Sequence, residues 1–212
     1  MRRVRGVFDL DADTEEIGEH LERDPAIAGL VRERRGLRVP GAWDGFELAV
    51  RAILGQQVTV KGATTLAGRL VRAYGRSAPE LVFEDLDRLF PRPCDLRHVD
   101  PATVGVPAAR ALTLTHLAAA VESGEIAFDD SMPQETVRRR LLRLPGVGEW
   151  TAEYVAMRAL RDPDAFPASD LGLLTAMSSG ELRATPARLR RTAESWRPWR
   201  AYAAMHLWSG LS

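Results

Sequence analysis

From Leu144 to Ala152 the chain reads LPGVGEWTA, with Gly146 and Gly148 on either side of a single valine and directly before a segment of helical periodicity. Glycine has no Cβ, so Gly-x-Gly at a helix start lets backbone N–H groups close on an anion, where the macrodipole also favours negative charge. The alternative is a plain turn between two helices, for which one glycine suffices. Asp170 stands 22 positions beyond Gly148, closing FPASD before the apolar pattern LGLLTAM. A short carboxylate there caps the helix by accepting first-turn N–H groups, and capping does not preclude chemistry by the same carboxylate.

Several other chemistries lack the residues they need. Cys94 is the only cysteine, which excludes an internal disulfide, a cysteine-based zinc site and a four-cysteine iron–sulfur cluster. Lys61 is the only lysine, so every other basic group is an arginine, a good phosphate ligand that cannot form a Schiff base. His20, His98, His116 and His206 show no metal-ligand clustering, and no motif supports a Ser-His-Asp reading. With 29 basic and 29 acidic residues, any nucleic-acid surface must be local. No apolar run approaches the roughly 20 residues of a membrane span. The segment MRRVRGVFDLDAD has no signal-peptide apolar core, so a cytoplasmic protein is expected.

Helices must position these groups. Almost every segment has helical rather than alternating periodicity, with glycine and proline as punctuation. Helices are expected near 14–23, 25–34, 43–57, 60–74, 107–122, 133–143, 149–161, 171–178, 186–195 and 198–208. Phe46, Val50, Ile53 and Leu54 share a helical spacing, Gly75 suits a C′ position after Tyr74, and Pro133 and Pro198 suit first turns. Only RRVRGVFDL hints at a strand, and one strand makes no sheet. Loops are expected around 75–82, 90–106 and 162–169. An all-α fold follows, in one large domain or two small ones.

Together, LRLPGVGEWTAEYVAMRAL and FPASD resemble the helix-hairpin-helix plus Gly/Pro-Asp signature of the base-excision DNA glycosylase superfamily. GLRVPGAWDGFELAVRAILGQQVTVKGATTLAGRLVRAYG and WRPWRAYAAMHLW resemble the core and C-terminal helix of its 3-methyladenine DNA glycosylase II, or AlkA-type, branch. The likeness runs over residues 36 to 208. It implies a glycosylase core of about ten helices in two subdomains over 36–212, with the helix-hairpin-helix at about 133–161. An N-terminal segment, 1–35, would supply helices packing on that core and one remnant strand, RGVFDL, of a β domain, in a natural short form or a truncated chain.

By the same resemblance Asp170 is the catalytic carboxylate, stabilising an oxocarbenium-like sugar and orienting or deprotonating water. Pro145, Gly146, Val147, Gly148 and Thr151 contact the DNA backbone, with Arg138, Arg139, Arg140 and Arg143 as partial help. Backbone carbonyls of Leu142, Leu144 and Val147 would hold a structural Na+ or K+; no cofactor is otherwise required. Trp150, Tyr154 and Trp208 match base-pocket positions, where each ring attracts a cationic alkylated purine by about 0.5–2 kcal/mol. Trp196, Trp199 and Tyr202 are expected in the core.

Gln57, in GQQVT, matches the wedge that fills the stack vacated by the flipped base, where AlkA-type enzymes can use an apolar residue. Trp150 also stands where bifunctional members place a Schiff-base lysine. The implied activity is therefore monofunctional. A monomer would act on double-stranded DNA containing a damaged base, releasing 3-methyladenine or 7-methylguanine and leaving an abasic site. Two alternatives stay open: another lesion preference (1-methyladenine, 3-methylcytosine, hypoxanthine or uracil), and a non-catalytic DNA-binding helix-hairpin-helix protein, against which Asp170 argues.

Overall fold

Helical periodicity becomes twelve α-helices among the residues described by the computed structural model, 1–78, 87–129, 131–178 and 183–211. In chain order they are α1 (Arg2–Val7), α2 (Thr14–Leu21), α3 (Ala28–Glu33), α4 (Gly45–Leu54), α5 (Val60–Tyr74), α6 (Pro101–Val104), α7 (Ala108–Glu122), α8 (Gln134–Leu141), α9 (Glu149–Arg158), α10 (Leu171–Ala176), α11 (Pro186–Thr192) and α12 (Arg200–Ser209). Between α5 and α6, β1 (Arg76–Ser77) pairs antiparallel with β2 (Arg88–Leu89). Each expected helix has its counterpart, mostly shorter at the ends. The loop expected over 75–82 lies, beyond residue 78, outside the described residues. No helix among the described residues is long and apolar enough to cross a membrane.

Four local expectations need correction. RRVRGVFDL is not a strand, because Arg2–Val7 form α1. A lone strand leaves its ladder groups unpaired, whereas helical turns satisfy them locally: the Arg5 N–H reaches Met1 O at 3.1 Å and the Leu10 N–H reaches Arg5 O at 2.9 Å. Gly75 does end α5, but at φ −71° and ψ 148°. It is needed for space, since a Cβ there would lie 2.4 Å from Val71 O and 2.6 Å from Leu89 O. Pro133 occupies the cap of α8, and Pro198 precedes Trp199, the cap of α12, so neither is in a first turn.

The chain forms two compact units, Met1–Trp43 with Glu153–Ser212, and Asp44–Ala152. In the second, α4 packs against α5 and α7 and buries Phe46, Ala49, Val50, Ile53 and Leu54. Asp44 caps α4 by accepting the Glu47 N–H at 2.8 Å, and Thr59 caps α5 by accepting the Gly62 N–H at 3.1 Å. The apolar stripe of α7, with Leu114, Leu117 and Ala118, and Val137 and Leu141 of α8 are buried too. α4 stops at Leu54, short of the expected 57, and Gln57 then takes φ +57°.

The first unit is built on α12, which buries Ala201, Tyr202, Ala203, Ala204, His206 and Leu207 and packs on α3 and α10. The Tyr202 hydroxyl donates to Asp9 Oδ2 at 2.8 Å, tying the N-terminal segment to that helix. Trp196 is fully buried, edge-on to Phe166 at 5.8 Å, with its Nε1–H on Asp24 Oδ2 at 2.8 Å. As expected, Trp196 and Tyr202 belong to the core, while Trp199 is only half-buried.

Burial pushes the His206 imidazole below its ordinary range; a hydrogen bond to the Leu30 backbone opposes this, and Arg34 adds to the lowering. Acid therefore protonates the unfolded chain first. Stability should fall as pH drops below about 6.5, the ordinary histidine value. Thermal melts between about pH 7 and pH 5 should show that slope, and His206→Leu should flatten it. An unchanged slope in the variant would assign the loss to other groups.

Candidate functional site

The turn from α8 to α9 belongs to the second unit. The Leu144 N–H bonds Leu141 O and the Val147 N–H bonds Leu144 O, each at 3.0 Å, which folds the chain back within residues 142–148. Gly146 makes this possible at φ +85°, and a Cβ on it would lie 2.1 Å from Thr113 Oγ1. Gly148 is different. Its φ is not positive, and no atom lies within 4 Å of where its Cβ would be. The fold therefore explains one glycine and leaves the second facing open space at the start of α9.

Pro145, Gly146 and Gly148 are exposed, whereas Val147 is buried. Thr151 is 3% exposed and its Oγ1 accepts the Gln56 amide at 2.9 Å, so its side chain faces inward and only its main chain remains for a backbone contact. The arginines of α8 divide. Arg138 pairs with Glu135 at 3.0 Å and Arg140 donates to the Glu125 carbonyl, while Arg139 and Arg143 are exposed with no side-chain partner among the described residues. Gln57 is exposed on the turn after α4. Its neighbour Gln56 donates a second amide hydrogen to Gly146 O at 3.0 Å.

The carboxylate belongs to the first unit. FPASD is anchored by buried Phe166, whose N–H bonds Glu153 Oε2 at 2.8 Å, and turns when the Asp170 N–H reaches Pro167 O at 2.8 Å. Asp170 then caps α10: its Oδ1 accepts the Leu173 N–H at 3.0 Å. The same oxygen accepts Trp208 Nε1–H at 2.8 Å. Gly172 makes room for this, since a Cβ there would be 3.0 Å from Asp170 Oδ1 and 3.1 Å from Trp208 Cδ1.

The Trp208 ring meets Tyr154 edge-on at 6.5 Å. Arg158, one turn further along α9, lies over the Tyr154 ring at 5.7 Å and bonds its hydroxyl at 3.4 Å. Asp170, Trp208 and Tyr154 thus come together in one unit, while half-buried Trp150 lies on α9 four residues before Tyr154, in the other. Sequence reasoning missed Arg158, which its i+4 spacing from Tyr154 signals, and Gly172, beside Asp170. It also missed Gln56, whose long-range partners leave no local pattern.

This is the architecture of the helix-hairpin-helix DNA glycosylases: the structure superposes on a 3-methyladenine DNA-glycosylase from Archaeoglobus fulgidus with a TM-score of 0.77 at 24% identity, over 98% of this chain and 72% of that one. The family model of the AlkA N-terminal domain matches residues 1–44, the segment carrying α1 to α3. DNA-3-methyladenine glycosylase 2 of Escherichia coli is 36% identical over 214 residues, 98% of this chain and 70% of that protein. The chain belongs to the AlkA-type DNA-3-methyladenine glycosylase family. A probable bifunctional transcriptional activator/DNA repair enzyme AlkA of Mycobacterium tuberculosis is 46% identical over 209 residues, and this chain spans 99% of its own length but 42% of that protein.

The two hairpin glycines should respond differently to a methyl group. Gly146→Ala combines left-handed strain with a clash and should cost about 1–3 kcal/mol, several degrees of melting temperature. Gly148→Ala meets no clash and only weakens the cap of α9, so it should cost less, about 0.5 kcal/mol. Equal losses would mean that both glycines serve the fold.

Proposed function

We propose that this chain is a monofunctional DNA glycosylase that hydrolyses the N-glycosidic bond of alkylated purines in double-stranded DNA. The observation that carries the reading is Asp170, with Oδ1 held by Leu173 N–H and Trp208 Nε1–H next to the Trp208–Tyr154 aromatic pair. Phosphate would sit against the open face of Gly148, whose missing Cβ lets main-chain N–H groups approach, with Arg139 and Arg143 adding charge. Gln57 would enter the stack in place of the flipped nucleotide.

Trp150, Tyr154 and Trp208 would receive the extruded base, and a base already cationic gains most from electron-rich rings. The glycosidic bond then breaks with its electron pair leaving on the purine, and positive charge develops on the sugar. Asp170 stabilises that charge and takes a proton from the attacking water as the new C1′–O bond forms. Methylation has already made the purine a good leaving group, so no strong general acid is needed.

Trp150 bears no amine where a lyase would carry one, and the single lysine, Lys61, lies on α5. In the hairpin, the Pro145 and Gly146 carbonyls accept from Thr113 and Gln56. Leu142, Leu144 and Val147 would offer neutral carbonyl oxygens to Na+ or K+, Leu144 through the lone pair not taken by the Val147 N–H; the ion would stiffen the turn and take no part in the chemistry. The protein would act as a DNA-associated monomer.

Base release from alkylated duplexes, followed by chromatography, tests the proposal. Asp170→Asn should slow release by about a hundredfold or more while leaving duplex affinity within a few-fold. Borohydride added during turnover should trap no covalent adduct. Release that survives in Asp170→Asn, or robust trapping, would overturn the carboxylate or the monofunctional assignment respectively.

A further inference from the structure

Two consecutive glutamines follow α4, and they do opposite things. Gln57 is exposed at φ +57°, in the left-handed region that non-glycine residues seldom occupy. Gln56 turns inward. Both hydrogens of its amide are used, one on Gly146 O at 3.0 Å and one on Thr151 Oγ1 at 2.9 Å. Its own carbonyl accepts Arg110 Nη2–H at 2.8 Å, so side chain and main chain are fixed independently.

The other side of the hairpin is held as well. Thr113 Oγ1, on α7, lies 2.9 Å from Pro145 O. It fills the space that a Cβ on Gly146 would need. The left-handed turn at Gly146 directs its carbonyl to the Gln56 amide. A residue in a sparsely populated backbone region persists only where its surroundings over-determine it, and Gln56 supplies that constraint immediately before Gln57.

We propose that Gln56 is a positioning residue that locks the turn presenting Gln57 to the phosphate-binding hairpin, so that backbone capture sets the register at which Gln57 enters the stack. This rests on the reading of the hairpin and of Gln57 given above. The requirement is for an amide. Glutamate at 56 would set a carboxylate against the Gly146 carbonyl, leucine would leave that carbonyl and Thr151 unpaired, and asparagine is one methylene short.

The test uses the full chain and two readouts that do not depend on each other. A duplex with a tetrahydrofuran abasic site flanked by 2-aminopurine reports unstacking by a rise in fluorescence, and anisotropy on the same duplex reports affinity. Methylated DNA reports single-turnover base release. Gln56→Leu should lose most of the fluorescence rise and slow release about tenfold, the size of a lost buried hydrogen bond, with affinity within about threefold. Arg110→Met, which removes only the main-chain tether, should show a smaller loss in the same direction.

The deciding comparison is the double variant. If Gln56 acts through Gln57, then adding Gln56→Leu to Gln57→Ala costs nothing further in fluorescence or release. Effects that multiply, an unchanged fluorescence rise in Gln56→Leu, or no rise with the unsubstituted chain would each overturn the proposal. Failure of the enzymatic reading looks different: the unsubstituted chain would unstack the reporter, with the predicted dependence on Gln56, and release no base.

Discussion

The proposed role of Asp170, facing a developing cation, needs a carboxylate of fixed direction, and Asp170 has one because a single oxygen accepts from two N–H donors in different parts of the chain. Leu173 N–H belongs to the first turn of α10 and Trp208 Nε1–H to α12, seven residues beyond the buried Ala201. Other features of that unit serve this pair. Buried Phe166 anchors the loop before Asp170, Gly172 leaves space for the indole, and the alanine-rich face of α12 brings α10 and α3 close. Any shift of α12 would turn the Trp208 donor away and leave Asp170 as a simple helix cap.

The equal totals of basic and acidic residues conceal uneven pairing. Arg5 is bound to Asp11, Arg51 to Glu47, Arg97 to Glu122, and Arg197 and Arg200 to Asp164. Arg139 and Arg143, around the end of α8, are exposed without such partners among the described residues. Under the proposed reading, a polyanion would meet this positive charge at the hairpin turn that carries Gly148. Net charge says nothing about this, whereas the division of the α8 arginines does.

Helical periodicity made ten of the twelve helices legible, because apolar spacing and caps act within a few residues. α1 stands where RRVRGVFDL hints at a strand, and local hydrogen bonding decides the matter. The short α6 and the β1–β2 ladder lie in Pro- and Asp-rich sequence, where contacts made over distance set the geometry. The helix cap by Asp170 and the left-handed turn at Gly146 were legible because each is a local backbone demand. The inward turn of Thr151 and the anchoring by Gln56 were not, since they depend on partners up to 95 residues away.

If Asp170 stabilises a cationic sugar, that carboxylate should discriminate charge at the sugar position. The most direct measurement is the affinity of the chain and of Asp170→Asn for two duplexes, one carrying a cationic pyrrolidine in place of the nucleoside and the other a neutral tetrahydrofuran. The account predicts that the unsubstituted chain prefers the cation by about tenfold or more, and that Asp170→Asn loses this preference. Equal affinities in the unsubstituted chain, or a preference that survives in Asp170→Asn, would contradict it.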